Sequence, residues 1–227
     1  MILLNQKKIK MNNQGKLIVI DGIDGSGKTT QIDLLSQYLS DKSIPYEIIS
    51  FPRYEDNLYG TLIRRYLEGE FGGIKEVNPY LLALAFAGDR ALAKPLMESW
   101  LNSEKLVIAN RYVSASKAHL GANVAENKRE EFMEWLDQLE YGTHQLPKPD
   151  LNLLLNVDPS IGQQNVEGKH KDLHEQDIKH LEQAAKIYLE LSKAEENWQL
   201  VNCMEGGKMA SKEKIHLQIT AILSKLI

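Results

Sequence analysis

The chain has 227 residues, 43% of them hydrophobic and 26% charged, enough for one large α/β domain with its own core. A formal net charge of −4 gives no support for a general nucleic-acid binder. The lone Cys203 excludes an intramolecular disulfide and fits a reducing, cytoplasmic compartment, and no apolar stretch approaches the ~20 residues that cross a bilayer.

Residues 1–14 place a short apolar patch before their charges, the reverse of a secretory signal, and read as a disordered N-terminal extension. Met11 offers a second start. Residues 15–227 read as one domain in which strand and helix signals alternate. The pattern predicts a strand over 16–21, a helix over 28–41 and a second strand in PYEIISF. A helix follows over 56–69, and Asn78–Pro79 opens a longer one, PYLLALAFAGDRALAKPLMESWLN, with a bend expected near Pro95. KLVIAN is a fully apolar, central strand. Residues 127–141 predict one acidic amphipathic helix with its acidic run, 130–140, on a solvated face. DLNLLLNV is a fourth strand. Residues 162–176 are polar, carry little periodicity and read as a mobile flap. A helix over 177–194, the strand WQLVNC and a helix from Ser211 that covers the sheet complete the chain. Cys203, at a strand end, reads as a small core residue.

Strands separated by helices imply a parallel sheet, whose ligands gather at the carboxyl ends of the strands. The chemistry-bearing residues stand there. After the first strand comes DGIDGSGKTT, in which Gly22, Gly27, Lys28 and Thr29 fit G-x-x-x-x-G-K-S/T, the phosphate-binding loop. Its glycines let consecutive backbone N–H groups turn inward on phosphate oxygens. Lys28 bridges the outer phosphates, the Thr29 hydroxyl holds Mg²⁺, and the next helix aims its positive end at the same anion. The loop therefore supplies Gly22, Asp24, Gly25, Ser26, Gly27, Lys28, Thr29 and Thr30 to a nucleotide.

Three more strand ends and one helix add to this. FPRY contributes Arg53, NRYVSASKAHLG contributes Arg111, and GKHKDLHEQD contributes Lys169 and Lys171. FAGDR places Phe86 and Arg90 four apart, on one helical face. Taken singly, each has a commonplace role: a surface ion pair for Arg53, a core position for Phe86, a solvated loop for the lysines. Taken together, they pair a second anion site and a base platform with the phosphate loop. His119, His170 and His174 fall near this crevice with no zinc-like spacing and read as solvated or hydrogen-bonded side chains.

From Lys16 to the last helix the sequence resembles thymidylate kinases. The motifs run in that family's order: DGxDGxGKTT, FPRY, F-x-x-D-R, a D-R-Y-like strand end, and a basic lid closing on a D-x-x-E-like stretch. The resemblance implies a three-layer P-loop kinase fold with a five-stranded parallel sheet flanked by helices and a mobile lid. It implies transfer of phosphate from ATP, with Mg²⁺, to dTMP, and a homodimer with no nucleic-acid or membrane partner. Lys28, Thr29 and the loop backbone would hold ATP and the metal, with Asp24 beside the metal and the deoxyribose 3′-hydroxyl. Arg53 and Arg111 would grip the acceptor phosphate, with Phe51 and Pro52 beside them. Phe86 would stack on thymine, Arg90 would bond its edge, and Ser116 would lie beside the base. His119 stands where a tyrosine usually packs against the sugar. Asp172 and Glu175 match acidic lid residues.

The sequence departs from the family in three places. Asn110 replaces an aspartate before Arg111, His119 replaces the tyrosine, and the lid carries lysines where arginines are common. Ile23 to Ser26 contain no Lys or Arg, so Lys169 and Lys171 are the candidates to neutralise the moving phosphoryl group. Two other readings stay open on sequence alone: a kinase for dUMP or a broader set of deoxynucleotides, and a nucleotide-binding protein with weak transfer.

Overall fold

The computed structural model describes residues 15–165 and 172–226. The readings of residues 1–14, and of Lys169 and Lys171 in the flap, lie outside the described residues, as does the side chain of Glu175.

Five strands form one parallel sheet: β1 (Lys16–Asp21), β2 (Tyr46–Ser50), β3 (Leu106–Asn110), β4 (Leu151–Asn156) and β5 (Trp198–Asn202). Their order is β2-β3-β1-β4-β5. The unbroken apolar runs LIVI and LVIA belong to β1 and β3, which sit inside the sheet and are buried on both faces. One face carries Leu35 and Leu39 of α1 (Lys28–Asp41), Ile187 and Leu191 of α8 (Ile178–Ala194), and Ile215 and Ile219 of α9 (Lys212–Leu223). The other face packs on Ala93, Met97 and Leu101 of α3 (Pro79–Asn102). α2 (Leu58–Leu67) lies against α3 in a third cluster with Phe132 and Leu136. Local signals set the helix ends. Asn57, Asn78, Asp177 and Ser211 each cap a helix N-terminus through the side chain. α3 runs on through Pro95.

Four stretches differ from the sequence expectation. Residues 113–121 form a helix, α4 (Val113–Gly121), where none is predicted. Eight of its nine residues are buried, so it shows no polar face and no amphipathic period. The single helix expected over 127–141 is instead a 3₁₀ turn (Glu126–Lys128), α5 (Arg129–Asp137) and a π-helical segment (Gln138–Thr143). Its acidic run is not wholly solvated, because Glu140 is fully buried. Both ends of the expected flap are helical, residues 162–165 in α6 (Pro159–Asn165) and residues 173–176 in a one-turn α7 (Leu173–Gln176). A small hairpin, β6 (Met204–Glu205) and β7 (Lys208–Met209), turns through Gly206 and Gly207, both at positive φ, before α9. Cys203 is buried, as expected, and burial pushes its thiol up to about 12, away from reactivity.

Register brings the strand ends level. Ile20 and Ser50 both pair with Asn110, so the loops after β1, β2 and β3 start at the same height.

Candidate active site

The loop from Asp21 to α1 owes its shape to glycine. Gly22, Gly25 and Gly27 all have positive φ, and a Cβ on Gly25 would fall 1.9 Å from the Gly162 carbonyl oxygen. Gly27 is the N-cap of α1, whose first turn holds no acidic residue and no side-chain cap. That leaves the positive end of the helix to a ligand. Gly25, Gly27, Lys28, Thr29 and Thr30 line an open cavity of about 730 Å³. Lys28 is folded back on the loop, its Nζ donating to the carbonyl oxygens of Gly22 at 3.0 Å and Ile23 at 2.9 Å. Gly22 backs the turn, and the buried Ser26 hydroxyl has no partner among the described residues.

A second, narrower pocket of about 80 Å³ adjoins this one. Its walls gather Asp24, Phe51, Pro52, Phe86, Arg90, Arg111, Ser116, His119 and Asp172, all singled out from sequence. Glu175 falls in α7. Arg53 is absent from both walls: Asp89 accepts from its backbone N at 2.9 Å and its Nε at 3.0 Å, and the Asp89 carbonyl takes Nη2 at 2.8 Å. Asn57 also donates to Asp89, at 2.7 Å.

Arg111 follows β3 in the left-handed region, at φ 64°. Its Nη2 pairs with Asp24 Oδ1, and its Nη1 lies 2.9 Å from His119 Nε2. Burial alone would raise the Asp24 carboxyl, but Arg111 and Lys28 outweigh it and hold the group well below the usual carboxylate range. Lys28 Nζ lies 4.0 Å from the same oxygen.

Arg90 is enclosed by α3, α4 and the π-helical segment. Its Nε donates to Glu140 Oε1 at 3.0 Å, Nη2 to the same oxygen and to Ser116 Oγ at 2.8 Å, and Nη1 to the Tyr112 carbonyl at 3.2 Å. Glu140 is thus a counter-charge for a pocket arginine and not part of a solvated face. The sequence reading also passed over Asp89, though it stands inside FAGDR. Tyr54, Leu67, Tyr112, Ala115 and Leu120 also line the narrow pocket, as does His174, which the sequence reading does place near the crevice. No single sequence period marks them, because they reach the pocket from several elements. Asp21, buried at the end of β1, accepts from Ser114 Oγ and from Tyr188 OH at 2.9 Å, which ties α4 and α8 to the base of the phosphate loop.

His119, His174 and His180 converge from α4, α7 and α8, with ring nitrogens within 4.8 Å of one another. His170, placed near the crevice from sequence, lies outside the described residues. Burial holds all three clustered imidazoles neutral. It lowers His174 to about 4 and His180 to about 3, while burial and the Arg111 cation keep His119 well below its ordinary value.

The oxygen atoms around the larger cavity suit a hard cation. Asp24, Thr29 and Asn110 all line it, and the buried Asn110 Oδ1 has no hydrogen-bond partner among the described residues.

A family model described as thymidylate kinase matches residues 20–215. The chain is 30% identical over 183 residues to a thymidylate kinase of Mycobacterium tuberculosis, covering 78% of this chain and 85% of that one. A probable thymidylate kinase of Pyrococcus horikoshii is 32% identical over 216 residues, covering 92% and 96%. Among solved structures, a thymidylate kinase from Candida albicans superposes with a TM-score of 0.75 at 25% identity, covering 93% of this chain and 92% of that one.

Proposed function

Because the chain belongs to the thymidylate kinase family, we infer that it transfers the γ-phosphoryl group of ATP to dTMP, releasing ADP and dTDP. One observation carries this reading beyond kinship: the two cavities share a wall. Asp24, Phe51, Pro52, Tyr54 and Arg111 line both the open cavity on the phosphate loop and the narrow pocket beside it. Donor and acceptor would therefore meet at Asp24 and Arg111.

Phosphoryl transfer asks a protein mainly for alignment and charge neutralisation. The loop backbone and the N-terminus of α1 receive the donor phosphates. Lys28 exchanges the carbonyl oxygens of Gly22 and Ile23 for phosphate oxygens. Arg111 turns N–H donors to the acceptor phosphate and holds it in line, in exchange for part of its contact with Asp24. Arg53, which Asp89 holds outside both cavity walls, would reach the acceptor phosphate by exchanging part of that contact. Lys169 and Lys171 remain the candidates, on the resemblance, to neutralise charge on the moving group. Phe86 stacks on the pyrimidine, Arg90 and Ser116 meet its edge, and His119 packs against the sugar. Asp172, on the pocket wall, would flank the acceptor, and Glu175 is assigned the same role on the resemblance. The narrow pocket measures about 80 Å³, below the ~300 Å³ usual for small-molecule sites.

Thr29 and Asp24 would hold Mg²⁺, and the unpartnered amide oxygen of Asn110 fits the same oxygen set. When bound, the ion neutralises charge on the donor phosphates.

A homodimer is part of the same proposal. Leu81, Leu84, Leu92 and Leu96 recur at helical spacing along α3 and are between 46% and 65% exposed. Leu58 and Leu62 of α2 are exposed as well. An apolar stripe of this extent suits a helix-on-helix contact with a second copy. Among the described residues no helix is long and apolar enough to cross a membrane, and the single buried cysteine fits a cytoplasmic setting.

The test is ADP release with ATP and Mg²⁺ and each nucleoside monophosphate in turn. The expected result is turnover that depends on dTMP. A preference for dUMP, equal rates with several acceptors, or no acceptor-dependent release would overturn the assignment.

A further inference from the structure

The three imidazoles beside Arg111 are close enough to suggest a metal site, but the hydrogen-bond directions favour another role. A guanidinium carries N–H donors only and keeps its proton throughout the physiological range. The 2.9 Å contact from Arg111 Nη1 therefore makes His119 Nε2 an acceptor. A neutral His119 then carries its proton on Nδ1. That nitrogen faces His180 Nε2 at 3.4 Å, so His180 accepts there and carries its own proton on Nδ1. The His180 Nδ1–H faces Asn123 Oδ1 at 3.3 Å, and an amide oxygen is the acceptor that this end requires. One permanent cation thus sets the direction of every bond from Arg111 through His119 and His180 to Asn123. Protonating His119 would turn an N–H donor on the guanidinium, and both burial and Arg111 oppose that state. The same chain occupies His119 Nδ1 with a proton, which removes the nitrogen a shared metal would need. His174 stacks on His119 with ring centroids 5.3 Å apart and planes 5° from parallel, which holds the plane of the ring.

We propose that His180 and Asn123 are positioning residues for Arg111: by holding His119 in the Nδ1–H tautomer, they fix the guanidinium where the acceptor phosphate meets it. Neither residue lines the acceptor pocket, so both act through His119. The kinetic consequence rests on the phosphoryl-transfer reading above; the tautomers do not.

Nitrogen-15 NMR of the imidazoles in the full chain reads the tautomers directly. His119 and His180 are both expected as Nδ1–H, the form less populated by free histidine. Either ring in the Nε2–H form would overturn the proposal, as would a zinc titration in which one ion moves the signals of all three histidines together. His180→Leu removes the acceptor at comparable volume. It should raise the KM for dTMP and lower kcat, cutting kcat/KM about tenfold with the KM for ATP unchanged. His180→Gln accepts from His119 through Oε1, donates to Asn123 through Nε2, and should restore most of the loss. An unchanged kcat/KM in His180→Leu, or equal losses in both variants, would also overturn the proposal. The NMR result holds whichever nucleotide proves to be the acceptor, so failure of the relay and failure of the assigned reaction are distinguishable.

Discussion

Replacing Glu140 by alanine tests whether Arg90 depends on a buried counter-charge. Arg90 is 2% exposed and Glu140 is fully enclosed. Without the carboxylate, the guanidinium keeps two acceptors among the described residues, Ser116 Oγ and the Tyr112 carbonyl, and both are neutral. Removing one partner of a buried pair costs about 3–5 kcal/mol, because the remaining charge is left uncompensated. The total stability of a folded domain is about 5–15 kcal/mol, so the loss is a large share of it. For a chain of this length each kcal/mol moves Tm by about 2–4 °C, which gives a fall of about 6–20 °C. Glu140→Gln keeps an oxygen for Arg90 but lacks the charge, and should fall between wild type and alanine. The double variant Arg90→Met/Glu140→Leu removes both charges and should recover much of the stability, with the arginine's role in binding lost. Urea unfolding followed by circular dichroism supplies the midpoint and slope for each variant. A Glu140→Ala loss below about 1 kcal/mol with an unchanged slope would refute the argument that this pair compensates a buried cation.

Arg111→Ala should raise the KM for dTMP and lower kcat by about 10²–10³-fold, with the KM for ATP little changed, as steady-state kinetics with each substrate varied would show. Asn110→Asp returns a carboxylate to the wall of the donor cavity and should raise kcat by up to about tenfold; an equal or lower kcat would discard the missing charge as a limit on the rate. Acid should destabilise the fold through the imidazole cluster. Burial depresses His174 to about 4 and His180 to about 3, below the ~6.5 of an unfolded histidine, so the unfolded chain binds protons that the folded one refuses. Their contribution is whole above about pH 6.5 and falls as pH drops toward 4, by up to ~1.4 kcal/mol per pH unit for each ring. Replacing His180 by leucine should flatten that slope in unfolding measured from pH 7 to 4. On the proposed α3 contact the wild type should sediment as a dimer and Leu92→Lys/Leu96→Lys as a monomer of unchanged circular dichroism spectrum; a monomeric wild type would refute the contact.

The architecture was largely legible before any coordinates. The unbroken apolar run of β3 marks it as an interior strand, and the helix starts read at Asn78, position 177 and Ser211 fall within a residue or two of those observed. α4 escaped notice because periodicity reveals a helix only where one face meets water, and this helix has almost none that does. Glu140 was misplaced for a related reason. The acidic run 130–140 was assigned to one α-helical period, whereas a π-helical segment at its end goes with a Glu140 that is wholly buried. The resemblance assigns Arg53 to the acceptor phosphate; no spacing shows that its backbone N, Nε and Nη2 also donate to Asp89, a residue of the quoted motif.

The order of residues already carries the chemistry on offer: a glycine-rich loop that leaves backbone N–H groups for an anion, a lysine and a threonine at fixed offsets, and arginines at strand ends. These are local facts, since a turn and a helix start depend on neighbours a few residues away. Tertiary structure alone decided which charges face a ligand and which face each other. Arg90 with Glu140, Arg111 with Asp24, and the imidazoles of three separate helices come together from 6 to 87 positions apart, and long-range packing of that kind leaves no spacing in the chain to read.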